Sequence, residues 1–177
     1  MRYGANELLY AEPFAEALIN DVSFRSWLLL KTKFAPWACI ARPLHQEMRA
    51  KRSKKAQTWW RSHYTESCRC FGCSGQETDI LAIFEADNTR FAIHIEVKNP
   101  KDKFSKPGQA PSYKARAECW AKKAPPKVLP HDKAICLLLF SEGCRQEFAP
   151  HLPHFDTLVT FEEIIVQFPN ATANPVK

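Results

Sequence analysis

The chain has 177 residues, of which 45% are apolar and 25% charged, and its net charge is +6. This length and apolar content predict a single domain with a core of ordinary size. The start of the chain lacks the pattern of a secretory signal, and the longest apolar runs are too short to cross a bilayer. A cytoplasmic protein with no membrane partner is expected. The seven cysteines are expected to be reduced, which excludes a disulfide scaffold.

The positive charge is concentrated between residues 42 and 61, where basic side chains are opposed only by Glu47. A polyanionic partner such as DNA is expected to meet this stretch first. The candidate nucleic-acid contacts are Arg49, Lys51, Arg52, Lys54, Lys55 and Arg61, together with Lys101 and Lys103 further along the chain.

The N-terminal part is predicted to be helical over residues 5–30, because apolar side chains recur there at helical spacing. Pro13 either begins a new helix at its first position or kinks one long helix. Asp21 or Ser23 is expected to cap the helix that follows.

A basic helix is predicted over residues 44–56, and the aromatic, threonine-containing segment 57–64 is predicted to be a strand. Trp59 and Trp60 lie close to the basic residues, so their indoles could stack on nucleic-acid bases. The alternative is that both tryptophans fill the core, and this interpretation is preferred.

Three cysteines lie close together after this segment and follow a histidine, in the order His63, Cys68, Cys70 and Cys73. Thiolate and imidazole ligands could close a tetrahedral zinc site that fixes the loop. The alternative is a loop of free cysteines, because the spacing is not that of a standard zinc finger. The remaining cysteines are expected to be small buried residues: Cys39, Cys119, Cys136 and Cys144.

The stretch around which the chain is organised is a predicted β-hairpin. Two apolar runs, residues 80–86 and 91–97, flank the turn-forming residues 87–89. Both runs carry few charges, so the strands are expected to be covered on both faces. Because side chains alternate along a strand, His94 is expected to share a face with Glu96 and Lys98.

Three charged residues are expected to meet at the open end of this hairpin. Asp79 opens the first strand, and Glu96 and Lys98 end the second. Two close carboxylates stay ionised only beside a cation, and oxygen ligands suit magnesium or manganese. A neighbouring lysine can orient a water or neutralise charge at phosphorus, which together suits phosphodiester hydrolysis. The alternative is a surface salt bridge of small energetic value.

A lysine-rich loop over residues 99–108 follows Lys98 and could close over a bound strand. The next helix is predicted over residues 110–123, with Gln109 and Tyr113 on one side because they are four residues apart. A buried strand is predicted over residues 133–140.

The C-terminal part is expected to contain a short edge strand at residues 155–159. A capping box at residues 160–163 opens a last helix that runs to residue 167. The tail over residues 169–177 is expected to be disordered.

The residues of the hairpin resemble a known family. Asp79 followed by Glu96-Val97-Lys98 on the next strand looks like the motif of the PD-(D/E)XK nuclease superfamily, and Gln109 with Tyr113 resembles the glutamine-tyrosine helix motif of its exonuclease and repair branches. The resemblance covers roughly residues 58–140. The chain departs from the motif at one point, because Thr78 stands where the family name has proline.

The resemblance implies roles for these residues. Asp79 and Glu96 would hold the metal, with help from the Val97 carbonyl, and Lys98 would position the attacking water.

In the family, residues on helices also contribute to the site. Gln109 and Tyr113 would hold the site or the substrate backbone, or else serve only as a helix cap and a core tyrosine. An acid from the first helix often joins the metal site, and Glu7 is preferred here over Glu12 and Glu16. The alternative for Glu7 is a solvent-facing side chain in a first helical turn.

The order of helix, strand, hairpin, helix and strand predicts an α/β fold, a three-layer α/β/α sandwich with a central mixed sheet. The resemblance implies the same αβββαβ restriction-endonuclease-like core. One domain is expected over residues 1–168, made of an N-terminal basic part (1–57), a core (58–140) and a C-terminal part (155–168).

The expected function is a magnesium-dependent or manganese-dependent nuclease that cuts DNA rather than RNA, and a homodimer would be needed to cut both strands at once. The first alternative is a non-catalytic nucleic-acid-binding module, stabilised by zinc, that works through residues 42–61. The second alternative is an inactive member of the same fold that acts in a protein assembly.

Overall fold

The computed structural model describes residues 5–52, 58–61, 63–64, 77–104 and 108–175. Its helices are α1 (Ala5–Asn20), α2 (Val22–Leu30), α3 (His45–Lys51), α4 (Gln109–Lys122), α5 (Arg145–Phe148) and α6 (Phe161–Gln167). Its strands are β1 (Arg42–Pro43), β2 (His63–Tyr64), β3 (Glu77–Thr78), β4 (Ile80–Ala86), β5 (Thr89–Lys98), β6 (Lys133–Phe140) and β7 (Thr157–Thr160). Within the described ranges, no helix has both the length and the apolar character needed to cross a membrane.

The central sheet has five strands in the order β1-β4-β5-β6-β7. β4 pairs antiparallel with β1 and β5, while β6 pairs parallel with β5 and β7, so the sheet is mixed. Helices flank the sheet, and the predicted three-layer α/β/α sandwich is confirmed. The strand predicted over residues 133–140 is also confirmed, with the same bounds.

The hairpin of β4 and β5 is the centre of the sheet. Its turn consists of Asp87 and Asn88, which both have positive φ, at 48° and 59°. Two consecutive left-handed residues form the tight turn that matches the twist of paired strands, and Asp and Asn tolerate this conformation better than most residues. Nearly every residue of β4 is buried, as is β5 from Phe91 onward, which explains the uniformly apolar sequence.

The two faces of β5 pack against different layers. On one face, the ring of His94 lies 5.3 Å from that of Trp120 on α4. On the other face, Phe91 packs against Phe34 and Trp37, at 4.3 and 5.2 Å between ring centroids. The predicted alternation along the strand is therefore confirmed, and α4 covers the face that carries the polar residues.

Two helices form at the N-terminus, and the break between them lies at Asp21. Its carboxylate accepts a hydrogen bond from the Phe24 N–H at 3.0 Å, so Asp21, and not Ser23, is the cap. Pro13 lies inside α1. The basic helix is shorter than predicted, because α3 ends at Lys51 and Arg52 is already extended.

The strand predicted over residues 57–64 is wrong for residues 58–61, which form bends. Among the described residues of this segment, only β2 is extended, in a separate two-stranded ribbon with β3. The place beside β4 in the central sheet is taken by β1, whose Pro43 pairs with Phe84. Trp59 and Trp60 are 3% and 0% exposed, so both indoles are core residues and cannot stack on a base.

The C-terminal part is more ordered than predicted. β7 is an edge strand, shifted slightly along the chain, and the capping box of Thr160 and Glu163 is confirmed. The expected disorder of the tail is wrong for residues 169–175. Ala171 and Thr172 are buried, because the tail packs back onto the helical layer that contains α1.

The cysteines in the described residues have free thiols. Cys136 and Cys144 are buried and Cys119 is half-buried, broadly as expected. Cys39 is exposed, contrary to expectation, because it lies in a surface turn before β1.

Candidate functional site

Asp79 lies at the open end of the hairpin, in a bend between β3 and β4. The paired residues of β4 and β5 end at Ile80 and Ile95. One step further, the Val97 N–H donates a hydrogen bond to Asp79 Oδ2 at 2.8 Å. The carboxylate therefore takes the place of a strand carbonyl, which fixes Asp79 beside the end of β5.

Glu96 and Lys98 form a buried ion pair at the same end. Lys98 Nζ lies 2.7 Å from Glu96 Oε1, and the two side chains are only 9% and 4% exposed. Asp79 is similarly buried, at 7% exposure. The three residues that were predicted to meet at the end of the hairpin therefore lie together there. They are more buried than the residues of a surface salt bridge.

Helix α4 supports the Glu96 carboxylate through Tyr113 and Gln109. The Tyr113 hydroxyl donates to Glu96 Oε1 at 2.6 Å and accepts a hydrogen bond from Gln109 Nε2 at 2.8 Å. Burial, with the Glu96 charge, raises the pKa of Tyr113 above its ordinary value, so the phenol stays a neutral donor. The residues at positions 109 and 113 therefore share one side of the helix and connect to the site.

The acids at the site destabilise one another's charged forms. Burial raises the pKa of Asp79 well above its ordinary value, and the charges of Glu96 and Glu7 raise it further. Burial also raises the pKa of Glu7, to about 7, with Glu96 and Asp102 adding to the effect. Buried carboxylates in this arrangement favour the binding of either protons or a cation.

The charge of Lys98 is maintained despite its burial. Burial alone would lower the pKa of Lys98, but the carboxylates of Glu96 and Asp79 outweigh it and raise the pKa. Lys98 is therefore protonated at neutral pH. Its ammonium group also lies 5.4 Å from the centre of the Phe104 ring, which covers the site at the start of the following loop.

Glu7 is the acid of α1 that belongs to this neighbourhood. Its side chain is half-buried and experiences the charge of Glu96, whereas Glu12 and Glu16 are exposed. The choice of Glu7 over the other two candidates agrees with this geometry, and the solvent-facing alternative does not.

Three residues near the site were missed by sequence reasoning. Asp102 and Glu77 both raise the pKa of Glu7, and Asp102 Oδ2 accepts a hydrogen bond from the Asn99 N–H at 3.0 Å. Asp102 lies in the loop directly after Lys98, so its position in the sequence could have indicated that it is near the site. Arg116, on α4, donates to the Thr78 hydroxyl at 2.9 Å, and no sequence pattern indicates this contact between distant segments.

The carboxylates of the site could bind a divalent ion only together with further oxygen ligands, such as water or substrate phosphate. Within the described part of the chain, no three His, Cys, Asp or Glu side chains are arranged as a group that could hold a metal ion. Magnesium does not require such a group, because it binds through one or two carboxylates and keeps water or substrate phosphate for its remaining positions. Asp79 and Glu96 are two buried carboxylates at the same end of the hairpin, so they are the candidates for this smaller set.

The predicted zinc ligands lie outside the described residues. Cys68, Cys70 and Cys73 are not described, and only the backbone of His63 is described.

The predicted nucleic-acid contacts divide into three groups. Exposed cations are Arg49, Lys51, Lys101 and Lys103, the last of which lies 3.4 Å from a Glu147 carboxylate oxygen. Arg52 and Arg61 are half-buried, and Arg52 donates to the Thr58 carbonyl at 2.6 Å, which is a structural contact. Lys54 and Lys55 lie outside the described residues.

A scan against protein-family models, a search of curated proteins and a search of solved structures each found no match for this chain. The case for a function therefore depends on the chemistry of the residues at the end of the hairpin. The elements that carry this chemistry are β4, β5 and α4.

Proposed function

We propose that this protein is a magnesium-dependent nuclease that hydrolyses phosphodiester bonds, with DNA as the substrate rather than RNA. One observation carries the proposal: two buried carboxylates, Asp79 and Glu96, and a buried ammonium, Lys98, lie together at the end of one hairpin. These groups could ligate a divalent ion and bear on a phosphate at the same point.

The surplus of carboxyl groups supports a functional interpretation over a purely structural one. A structural ion pair would need only Glu96 and Lys98. Here Asp79 and Glu7 add further carboxylates whose charged forms are disfavoured by burial and mutual repulsion. Such an arrangement lowers the stability of the metal-free protein, and a bound cation would remove the penalty.

Each protein group would have a distinct task. When bound, magnesium would polarise the phosphate and activate a water molecule. Lys98 would orient that water and neutralise developing charge, and since its pKa is raised, it would act as a donor rather than a base. Tyr113 and Gln109 would hold the Glu96 carboxylate in place.

Exposed cations near the site would meet the nucleic-acid backbone. Lys101 and Lys103 follow β5 directly and are exposed, so they could bind phosphates on either side of the scissile bond. Arg49 and Lys51, exposed on α3, would extend the basic surface. A chain with one such site would need a second copy to cut both strands of a duplex together.

Cleavage assays with matched variants test this proposal. Wild type, Asp79→Asn, Lys98→Met and Lys114→Met are incubated with linear, circular and branched DNA, with magnesium or with a chelator. Lys114 is the control, because it is half-exposed and pairs with Asp156 rather than with a carboxylate of the site. The expected result is magnesium-dependent cleavage that both site variants reduce by about a hundredfold or more and the control preserves.

Two results would contradict the proposal. Cleavage that is unchanged in both site variants would show that these residues are not catalytic. Salt-dependent DNA binding by wild type without cleavage would instead identify a non-catalytic nucleic-acid-binding module.

A further inference from the structure

Arg116 is a buried arginine on α4, the helix that contacts the segments carrying Asp79 and Glu96. It is 0% exposed and donates through Nη1 to the Thr78 hydroxyl at 2.9 Å. Its guanidinium also lies 5.5 Å from the centre of the Trp120 ring. A buried charge is costly unless its surroundings hold it, so a buried arginine of this kind needs a structural or functional reason.

Asp79 connects a strand of the central sheet, β4, to a strand of the short two-stranded ribbon, β3. Thr78 is the last residue of β3, which pairs only with the two residues of β2 within the described chain, and Asp79 itself lies in a bend. Two contacts that help to fix this bend are the hydrogen bond from the Val97 N–H to Asp79 and the anchoring of Thr78 to α4 through Arg116.

Two residues on one face of α4 contact the two segments that carry the carboxylates. Tyr113 and Arg116 are three residues apart and so lie side by side on the helix. Tyr113 bonds to Glu96 on β5, and Arg116 bonds to Thr78 immediately before Asp79. A single helix therefore contacts the segments that carry both carboxylates.

We propose that Arg116 is a positioning residue: through the Thr78 hydroxyl it fixes the backbone that carries Asp79, and so sets the separation of the two carboxylates. The inference about metal binding rests on the function proposed above.

The test compares hydrogen exchange and metal binding in the full chain. Thr78→Val removes the hydroxyl that accepts this hydrogen bond, Arg116→Lys removes the guanidinium Nη1 that donates it, and Thr78→Ser keeps the hydroxyl. Arg25→Lys is the matched control, because Arg25 is another buried arginine, but it donates to the Leu18 carbonyl at the end of α1.

The first measurement needs no metal. The Val97 amide donates to Asp79, so its exchange rate relative to Ile93, in the middle of the same strand, reports whether Asp79 is in place. Thr78→Val and Arg116→Lys are expected to raise this relative rate about tenfold or more, while Thr78→Ser and Arg25→Lys leave it near the wild-type value. An unchanged ratio in both Thr78→Val and Arg116→Lys would overturn the inference.

The second measurement is magnesium affinity by calorimetry. Loss of a group that orients a metal ligand typically costs tenfold to a hundredfold in affinity, so Thr78→Val and Arg116→Lys are expected to bind magnesium at least about tenfold more weakly. Faster Val97 exchange with wild-type affinity would also overturn the inference. If wild type binds no magnesium but Val97 exchange responds as expected, the positioning role stands and the proposed nuclease function fails.

Discussion

Replacing Lys98 with methionine tests whether the site is a charged cluster in a dry environment. Lys98 Nζ lies 2.7 Å from Glu96 Oε1. At an effective dielectric constant of about 20, the attraction between the two charges is about 6 kcal/mol. Desolvation of the ammonium offsets part of this, and removing one partner of a buried pair usually costs about 3 to 5 kcal/mol.

We expect the lower end of that range for Lys98→Met, about 3 kcal/mol. Glu96 keeps its hydrogen bond from Tyr113, which limits the cost. Urea unfolding at pH 7 in chelator measures the change. With a urea dependence of about 2 kcal/mol per molar, the unfolding midpoint should fall by about 1.5 M.

Two comparisons make this prediction specific. Lys114→Met breaks the half-exposed pair with Asp156, whose N–O distance is a comparable 2.9 Å, and should cost less than about 1 kcal/mol. The double variant Glu96→Gln with Lys98→Met should be more stable than Lys98→Met alone, since no charge is left unpaired. Equal, small losses for Lys98→Met and Lys114→Met would refute the argument from burial.

Two further predictions concern groups that face the same site. Because the pKa of Glu7 is raised from its ordinary value to about 7, the folded protein binds this proton more tightly than the unfolded chain does, and its contribution to stability is lost as pH rises from about 5 to 8. Glu7→Gln should therefore gain stability relative to wild type across that range, as measured by urea unfolding in chelator, and a constant difference would contradict the assignment. Tyr113→Phe should cost about 2 kcal/mol, since its hydroxyl donates to the Glu96 carboxylate at 2.6 Å, whereas Tyr10→Phe, with a 3.5 Å contact to the Asn174 carbonyl, should cost under about 0.5 kcal/mol. Equal costs for the two tyrosines in urea unfolding would show that the Glu96 contact adds no stability.

Local sequence signals were reliable where the local pattern and the tertiary environment agree. The hairpin has turn residues that tolerate positive φ between two apolar runs, and both features favour the same structure. Thr160 and Glu163 likewise form a cap entirely from neighbouring residues. For the same reason, Glu96 and Lys98 could be placed on one face from alternation alone.

The failures came where a competing tertiary partner decided the outcome. Residues 57–64 have strand-like composition, but β1 pairs with the edge of β4, and residues 58–61 form bends in which Trp60 is buried. The tail after Phe168 has a composition typical of disorder, yet it finds an apolar surface near α1 and buries Ala171. Neither partner can be read from the segment itself.

The sequence by itself determined the hairpin, the buried strand at residues 133–140, and the meeting of Asp79, Glu96 and Lys98 at one end, because these follow from short-range periodicity and antiparallel pairing. Only the tertiary structure decided how dry that end is and which distant groups hold it. The bond from Arg116 to Thr78 joins residues far apart in the chain. Its existence depends on how α4 packs across the sheet, a result of the whole core rather than of any local pattern.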